Sequence, residues 1–240
     1  AFGESELRDR LRLTSANSIN VGRFLPQSFY YFQAAGALKR QGVHAPILFS
    51  VPSGNFGNLA AGLMARAMGL ECSFLAATNA NDEVPELLRT GTFRPRPSIP
   101  TLSTAMDVGN PSNLSRILHL YDQDLDRLRH DLVAESVSDD ETRNTIRRVH
   151  EESGYLLDPH SAVGYRALEA RLAEHANAVG VLLATAHPAK FAEVVEPVIG
   201  ETVPLPRELA RCMEGRRKVE PIQPEMGELR ELLLATHESA

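Results

Sequence analysis

Apolar residues follow two rhythms along this chain. Ile47 to Pro52, Cys72 to Thr78 and Val179 to Thr185 are short, nearly unbroken apolar runs ending at glycine, proline or polar residues, which predicts buried strands. The stretches between them repeat at helical spacing instead. Asn58 to Met68 is small and apolar and closes at Gly69. Asn20 to Gln41 carries Val21, Phe24, Leu25, Phe29, Phe32 and Ala35 at helical intervals and stops at Gly42, with Pro26 expected to kink it or mark its first turn. Ser161 to Asn177 sets Val163, Ala167 and Leu168 against Glu169, Arg171 and Glu174, and Glu193 to Ile199 is a further helix. Residues 112 to 153 predict two or three amphipathic helices, one opened by a capping box of Ser138 and Glu141. Strands alternating with helices give an α/β class: a three-layer, mainly parallel sheet with helices on both faces, residues 47 to 78 forming a right-handed βαβ unit.

The domain plan follows from where this alternation stops. Residues 1–200 are expected to form a large α/β domain with a helical insertion at about 112–153, and Arg94 to Pro100, rich in proline, an ordered crossing loop. Residues 201–240 hold prolines 204, 206, 221 and 224, a basic Arg216-Arg217-Lys218 turn and a short helix from Met226 to Ala235.

Size and charge narrow the function. The 240 residues allow one large domain with a substantial core. A net charge of −6 leaves no diffuse basic field for nucleic acid or an anionic membrane, so a phosphate ligand needs a local site. Cys72 and Cys212 lack CxxC spacing, which excludes a disulfide framework and a thiolate metal site; both are expected as core thiols in a reducing cytosol. No apolar run approaches the ~20 residues of a membrane span and no signal-peptide succession opens the chain, so a soluble cytoplasmic protein is expected. Ala1-Phe2-Gly3-Glu4 has no initiator Met, which is expected of a fragment or an internal start. Only three of the 25 basic residues are lysines: Lys39, Lys190 and Lys218.

The most informative stretch is Val51-Pro52-Ser53-Gly54-Asn55-Phe56-Gly57-Asn58, joining the first strand to its helix. Such a turn presents unpaired N–H groups and the positive end of the helix dipole to one point, which favours an anion such as a phosphate monoester. Glycine-rich turns of this kind are common and many bind nothing, so the loop alone leaves both readings open. Neither G-x-G-x-x-G nor the Walker lysine pattern is present, which argues against dinucleotides and nucleoside triphosphates. Thr185, in Leu182 to Phe191, ends another strand at the edge where open α/β sheets collect ligands, and a hydroxyl suits a pyridine nitrogen that stays unprotonated. Taken singly, Thr185 reads as an ordinary strand-end residue and His187 as a helix-start residue. Thr104 to Asn113 reads on its own as an ordered turn capping the following helix. In Ser15 to Arg23 the arginine has equal claims as an anion fork and as a solvated charge.

Taken together, these segments resemble the threonine synthases, pyridoxal 5′-phosphate enzymes of the tryptophan synthase β-like fold (fold type II). The matching phrases are Ser15 to Arg23 with Leu25-Pro26-Gln27, Pro52 to Asn58, Met106 to Asn113, Asp158-Pro159-His160 with Ala162-Val163-Gly164, and Thr185 to Phe191. They stand in family order over about residues 15 to 200 and look like the longer, microbial and fungal type. The resemblance implies conversion of O-phospho-L-homoserine and water to L-threonine and phosphate in threonine biosynthesis, by a cytoplasmic monomer or homodimer. Protons leave Cα and then Cβ, phosphate departs from Cγ, and water adds at Cβ. It also implies that Gly54, Asn55, Phe56, Gly57 and Asn58 hold the cofactor phosphate and that Thr185 meets the pyridine nitrogen, although the loop's last position is also familiar as Asp. Asn17, Ser18, Asn20, Arg23, Asp107 and Asn113 are implied to line the substrate side.

One departure stands out. The family's Schiff-base lysine lies in an N-terminal phrase of the Phe-Lys-Asp kind, which this chain lacks; Lys190, in His-Pro-Ala-Lys-Phe, is not its equivalent. The chain is therefore expected to be the C-terminal portion of such an enzyme, inactive alone, self-associating through an uncovered sheet edge. The alternatives are a related phospho-lyase that adds no water, and a non-catalytic phosphate-ligand-binding or interaction domain.

Overall fold

The structure, a computed structural model, describes every residue except 15, 16, 19, 176, 216–218, 239 and 240, and the backbone alone at 237 and 238. In chain order the elements are α1 (Ser5–Arg10), α2 (Val21–Phe24), α3 (Gln27–Arg40), β1 (Ile47–Pro52), α4 (Gly57–Ala67), β2 (Ser73–Thr78), α5 (Glu83–Thr90), the 3-10 turn Thr104–Met106, α6 (Leu114–Leu120), α7 (Leu125–Asp131), β3 (Leu132–Ser136), α8 (Asp139–Ser153), α9 (Pro159–Glu174), β4 (Val179–Leu182), the 3-10 turn Pro188–Phe191, α10 (Ala192–Ile199), α11 (Arg207–Glu214) and α12 (Met226–Glu238).

Ser18–Leu205 forms one compact unit. Its sheet is four-stranded among the described residues, ordered β3-β2-β1-β4 and parallel at every pairing. Ser50 is level with Leu75 on one side and Leu182 on the other, so all carboxyl ends emerge along one edge. The period-two alternation of the strands builds the three layers. Phe49, Val51, Phe74 and Ala76 face α3 and α4, packing with Tyr31, Leu59 and Leu63. Leu48, Leu75 and Ala77 turn to the other side and meet Val163, Ala167 and Leu168 of α9. Tyr31 stands edge-on to Phe49 and Phe74, with ring centroids 5.0 and 5.6 Å away, and all three side chains are fully buried. A third cluster, Ile146, Val149, Leu157, Ala162 and Val195, ties α8 and α10 to α9. The α/β class and parallel sheet expected from the sequence are borne out.

Several details differ from expectation. The stretch 112–153 contains β3 as well as three helices, pairing with β2 from Phe74↔Leu132 to Thr78↔Ser136. It follows α7 with no breaker and is only partly buried, so neither punctuation nor alternation announces it. The helix expected from Asn20 to Gln41 is two helices, because Pro26 supplies no N–H where α2 would continue. The pair turns Phe24, Ser28 and Tyr31 inward and leaves Val21, Leu25, Phe29 and Phe32 exposed. Cys72 is buried, and burial pushes its thiol up to about 12, which makes it inert. Cys212 is exposed and not a core thiol, because α11 buries none of its residues.

Ala1–Asn17 and Pro206–Ala240 make up the second unit. In it Leu7 of α1 is fully buried, and Glu6 pairs with Arg230 of α12 at 3.7 Å. The basic turn at 216–218, with Lys218, lies outside the described residues. No described helix is long and apolar enough to cross a membrane, and no described cluster of His, Cys, Asp or Glu could hold a metal.

Candidate functional site

β1 gives way to the predicted anion loop at the carboxyl edge. Ser53 N–H still bonds Ala77 O at 2.8 Å; the chain then turns through Gly54 and Asn55 to Phe56, whose φ of 60° is left-handed, and enters α4 at Gly57. That conformation is uncommon for a bulky residue. The N–H groups of Gly54, Asn55, Phe56, Gly57 and Asn58 meet no acceptor among the described residues, although Phe56 and Gly57 are buried. A row of unanswered donors, two of them on buried residues, at the positive end of an 11-residue helix suits a dianionic phosphate.

Close approach requires the glycine at 54 and leaves little room at 57. A Cβ on Gly54 would lie 2.6 Å from Met106 Cα and 2.9 Å from Ala105 O, and one on Gly57 would lie 3.1 Å from Ser18 Cβ. The turn Thr104–Met106 is thus the wall of the loop, pressed onto the α-carbon of Gly54.

Side chains lock this arrangement. Asn55 Oδ1 accepts from Ser112 N–H (2.7 Å) and Ser112 Oγ (3.0 Å), and its Nδ2 donates to Ser18 Oγ at 2.8 Å. Asn113, 1% exposed, donates from Nδ2 to Asn55 O (2.9 Å) and Ser18 Oγ (3.1 Å) and accepts from Arg116 Nη1 at 2.6 Å. The Arg116 guanidinium lies 4.5 Å from the ring centre of Phe24. Asn58 turns its carboxamide oxygen to the hydroxyls of Tyr30 and Tyr31. Burial pushes Tyr30 up to about 12 and Tyr31 well above its usual value, so both remain donors. The side chain of Asn55 is therefore occupied within the protein at both ends and that of Asn58 at its oxygen, so what the loop mainly offers a ligand is backbone N–H.

Of the residues expected on the substrate side, Ser18 and Asn113 are brought to the loop. Asp107 is turned away from it. Its Oδ1 accepts from Thr101 Oγ1 (2.7 Å) and Asn79 Nδ2 (2.9 Å), and its Oδ2 from Thr101 N–H (3.0 Å), which fastens the 104–106 turn to the segment after β2. Asn20 caps α2 through Gly22 N–H at 2.9 Å, and Arg23 is exposed on that helix. Asn17 belongs to the other unit, and Ser15, Ala16 and Ile19 lie outside the described residues. Sequence reasoning missed Arg116, Tyr30, Tyr31 and Ser112. Only the Asn113 to Arg116 interval, one helical turn, could have hinted at any of them.

Thr185 leaves the sheet by the same edge as the loop. β4 neighbours β1, and Leu183 N–H bonds Ser50 O at 3.0 Å, so the segment after Leu182 leaves by the same carboxyl edge. Thr185 is exposed and its hydroxyl has no partner among the described residues. A cavity of about 390 Å3 next to it is lined by Tyr155, Asp158, Ser161, Ala184, Ala186 and His187. Larger clefts of about 670 and 730 Å3 open at the amino ends of the strands, around Leu48, Ser73 and His130, away from both loops.

Comparison with known proteins places the chain in a family. A family model described as pyridoxal-phosphate dependent enzyme matches residues 28–185. The chain belongs to that family. A second model, threonine synthase, C-terminal, matches residues 161–233. The threonine synthase of Serratia marcescens is 44% identical over 235 residues, covering 98% of this chain and 54% of that protein. The crystal structure of threonine synthase from Escherichia coli superposes with a TM-score of 0.87 at 43% identity, over 98% of this chain and 54% of that one. That of pyridoxal-phosphate-bound threonine synthase from Brucella melitensis gives 0.87 at 33%, over 100% and 56%. The chain thus spans about half the length of the relatives it matches, and the resemblance read from its motifs is borne out.

Proposed function

We propose that this chain is the cofactor-phosphate-binding part of a threonine synthase, which converts O-phospho-L-homoserine and water to L-threonine and phosphate in the cytoplasm as a monomer or homodimer. The observation that carries the proposal is the row of acceptor-less N–H groups from Gly54 to Asn58 at the start of α4. Pyridoxal 5′-phosphate fits there by its phosphate, and when bound it supplies an electron sink for charge developing at substrate carbons. Gly54, Asn55, Phe56, Gly57 and Asn58 donate to the phosphate oxygens, and Thr185 Oγ1 donates to the ring nitrogen without bringing a charge. Ser18 and Asn113 keep the loop in its donating shape and form the substrate-side rim. Arg23 and Arg116 are cations for the second phosphate, that of the substrate.

The residue that anchors the cofactor covalently is expected outside these 240 residues. Lys39 sits at the C-terminal end of α3 and Lys190 is exposed in the 3-10 turn 188–191. Proton removal from the substrate needs an amine tuned by its site, so the chain alone is expected to bind the cofactor without turning over.

Titration with pyridoxal 5′-phosphate, followed by absorbance and by the 31P signal of the bound phosphate, tests the binding. Saturable uptake abolished by excess inorganic phosphate is expected, and no uptake overturns the proposal. Phosphate release from O-phospho-L-homoserine, with threonine separated from 2-oxobutyrate in the product, distinguishes the synthase from a phospho-lyase when the chain is joined to the remaining half of such an enzyme. Binding without turnover in that joined form would favour a non-catalytic ligand-binding domain.

A further inference from the structure

The wall of the anion loop is tethered to α9 by one buried side chain. Asp158 caps α9, its Oδ1 accepting from His160 N–H (2.9 Å) and Ser161 N–H (3.4 Å) and its Oδ2 from the Ser161 hydroxyl. His160, 3% exposed, places Nδ1 2.9 Å from Asp158 Oδ1 and Nε2 3.2 Å from Ala105 N. A backbone N–H can only donate, so Nε2 is the unprotonated nitrogen and the ring proton sits on Nδ1, given to Asp158. The ring also leans on Phe191, with centroids 4.8 Å apart. α9 in turn is keyed to the sheet, Ser50 Oγ donating to Gly164 O at 2.7 Å.

Ala105 and Met106 supply the backbone atoms that lie against Gly54. The far end of their turn is fastened by Asp107, and Leu102 N–H bonds Asp139 Oδ1 at 3.1 Å, but the Ala105 N–H has His160 as its acceptor. We infer that His160 is a positioning residue for the anion loop: by accepting from Ala105 it sets the distance between α9 and the wall over Gly54, and so the spacing of the donors from Gly54 to Asn58. The inference deepens the proposed function and rests on it for the identity of the ligand. It needs no contact between His160 and the cofactor.

Two substitutions separate positioning from packing. H160Q carries an amide oxygen to where Nε2 stands and can still accept from Ala105, whereas H160N reaches only the Asp158 side; both lose the ring against Phe191. Two readouts are compared: hydrogen exchange of the Ala105 and Gly54 amides in the ligand-free protein, and pyridoxal 5′-phosphate affinity by absorbance titration. H160N is expected to lose protection at Ala105 and to bind about tenfold more weakly, the size of one buried bond left unmade, with H160Q within about threefold of wild type. Equal protection and affinity in H160N and wild type would overturn the inference, and so would an H160Q as impaired as a folded H160N. Should H160N not fold, H160Q decides alone, since loss of either property there is fatal. A wild-type chain that took up no cofactor would defeat the proposed function, and the Ala105 amide would then decide on His160.

Discussion

Two strand ends meet at the carboxyl edge of this sheet, and they are built differently. The loop after β1 is finished before any ligand arrives: Asn55, Asn113 and Ser18 cross-bond it, Tyr30 and Tyr31 hold its last residue, and backbone from residues 105 and 106 closes on Gly54. The segment after β4 is the opposite, with Thr185 exposed and its hydroxyl unengaged among the described residues. In the proposed complex a loop ordered beforehand removes the cost of ordering from phosphate binding, whereas a single hydroxyl can be aligned by the ligand itself. If the proposal holds, binding should be sensitive to almost any change at the loop after β1 and to very few after β4.

G54V should test that asymmetry most severely. The branch would fall within van der Waals contact of Met106 Cα and Ala105 O, backbone atoms that cannot rotate away. Overpacking costs about 1–3 kcal/mol in a side-chain core and more against backbone, so the loop should open and no cofactor absorbance should stay with the protein once free pyridoxal phosphate is removed. An unaltered cofactor band in a folded variant would mean that the loop does not grip the phosphate.

N113A comes next. It removes the bonds to Asn55 O and Ser18 Oγ together and takes the acceptor from Arg116. Leaving such groups unanswered costs about 1–3 kcal/mol each, partly relieved by water, so about 2 kcal/mol of stability should go, together with at least tenfold in cofactor affinity. Urea unfolding in parallel with titration checks both; stability lost with affinity intact would detach Asn113 from the grip.

How much of this was legible beforehand depends on how far apart in sequence the partners lie. β1, β2 and the loop between β1 and α4 announce themselves, because a continuous apolar run and two glycines are local signals. The bonds that make the loop rigid join residues 55 to 112, 30 to 58 and 105 to 160, pairings set by segments folding back over the sheet edge. No periodicity encodes them, and resemblance to a family singled out Ser18 and Asn113 only as residues of the substrate side. Asp107 shows the hazard in that transfer: a carboxylate in a polar cluster looks like a ligand residue, yet here it is consumed by Thr101 and Asn79. β3 was missed for a related reason, since a short edge strand pressed against the end of α7 carries no signal of its own.

D158N should act on the tether beneath the loop and less strongly. Burial raises the Asp158 carboxyl, but the hydrogen bonds from His160 and Ser161 outweigh that and hold it below the usual carboxylate range. A folded-state pKa below the unfolded one contributes stability that is full above the unfolded value, about 4, and lost as pH falls through the folded value. The stability difference between wild type and D158N should therefore be about 1–2 kcal/mol at pH 7 and shrink as the pH is taken from 5 toward 2. A difference that stays constant over that range would show that the carboxylate charge plays no part in the cap.

The smallest effect belongs to Thr185, and it carries the comparison furthest. T185V keeps the shape and removes the hydroxyl; because the side chain is exposed and bonded to nothing described, stability should change by less than about 0.5 kcal/mol. Affinity for pyridoxal phosphate should fall only about threefold, since the phosphate grip is untouched. What should move is the absorbance maximum of the bound cofactor, because the ring nitrogen exchanges a hydroxyl donor for water. T185D extends the test: a carboxylate beside that nitrogen favours its protonation, so the spectrum should shift further and in the direction protonation dictates. Spectra of T185V and T185D indistinguishable from wild type, with binding retained, would place the ring elsewhere along the sheet edge. The loop at 54–58 would then hold the phosphate of a ligand whose other end is met by different residues.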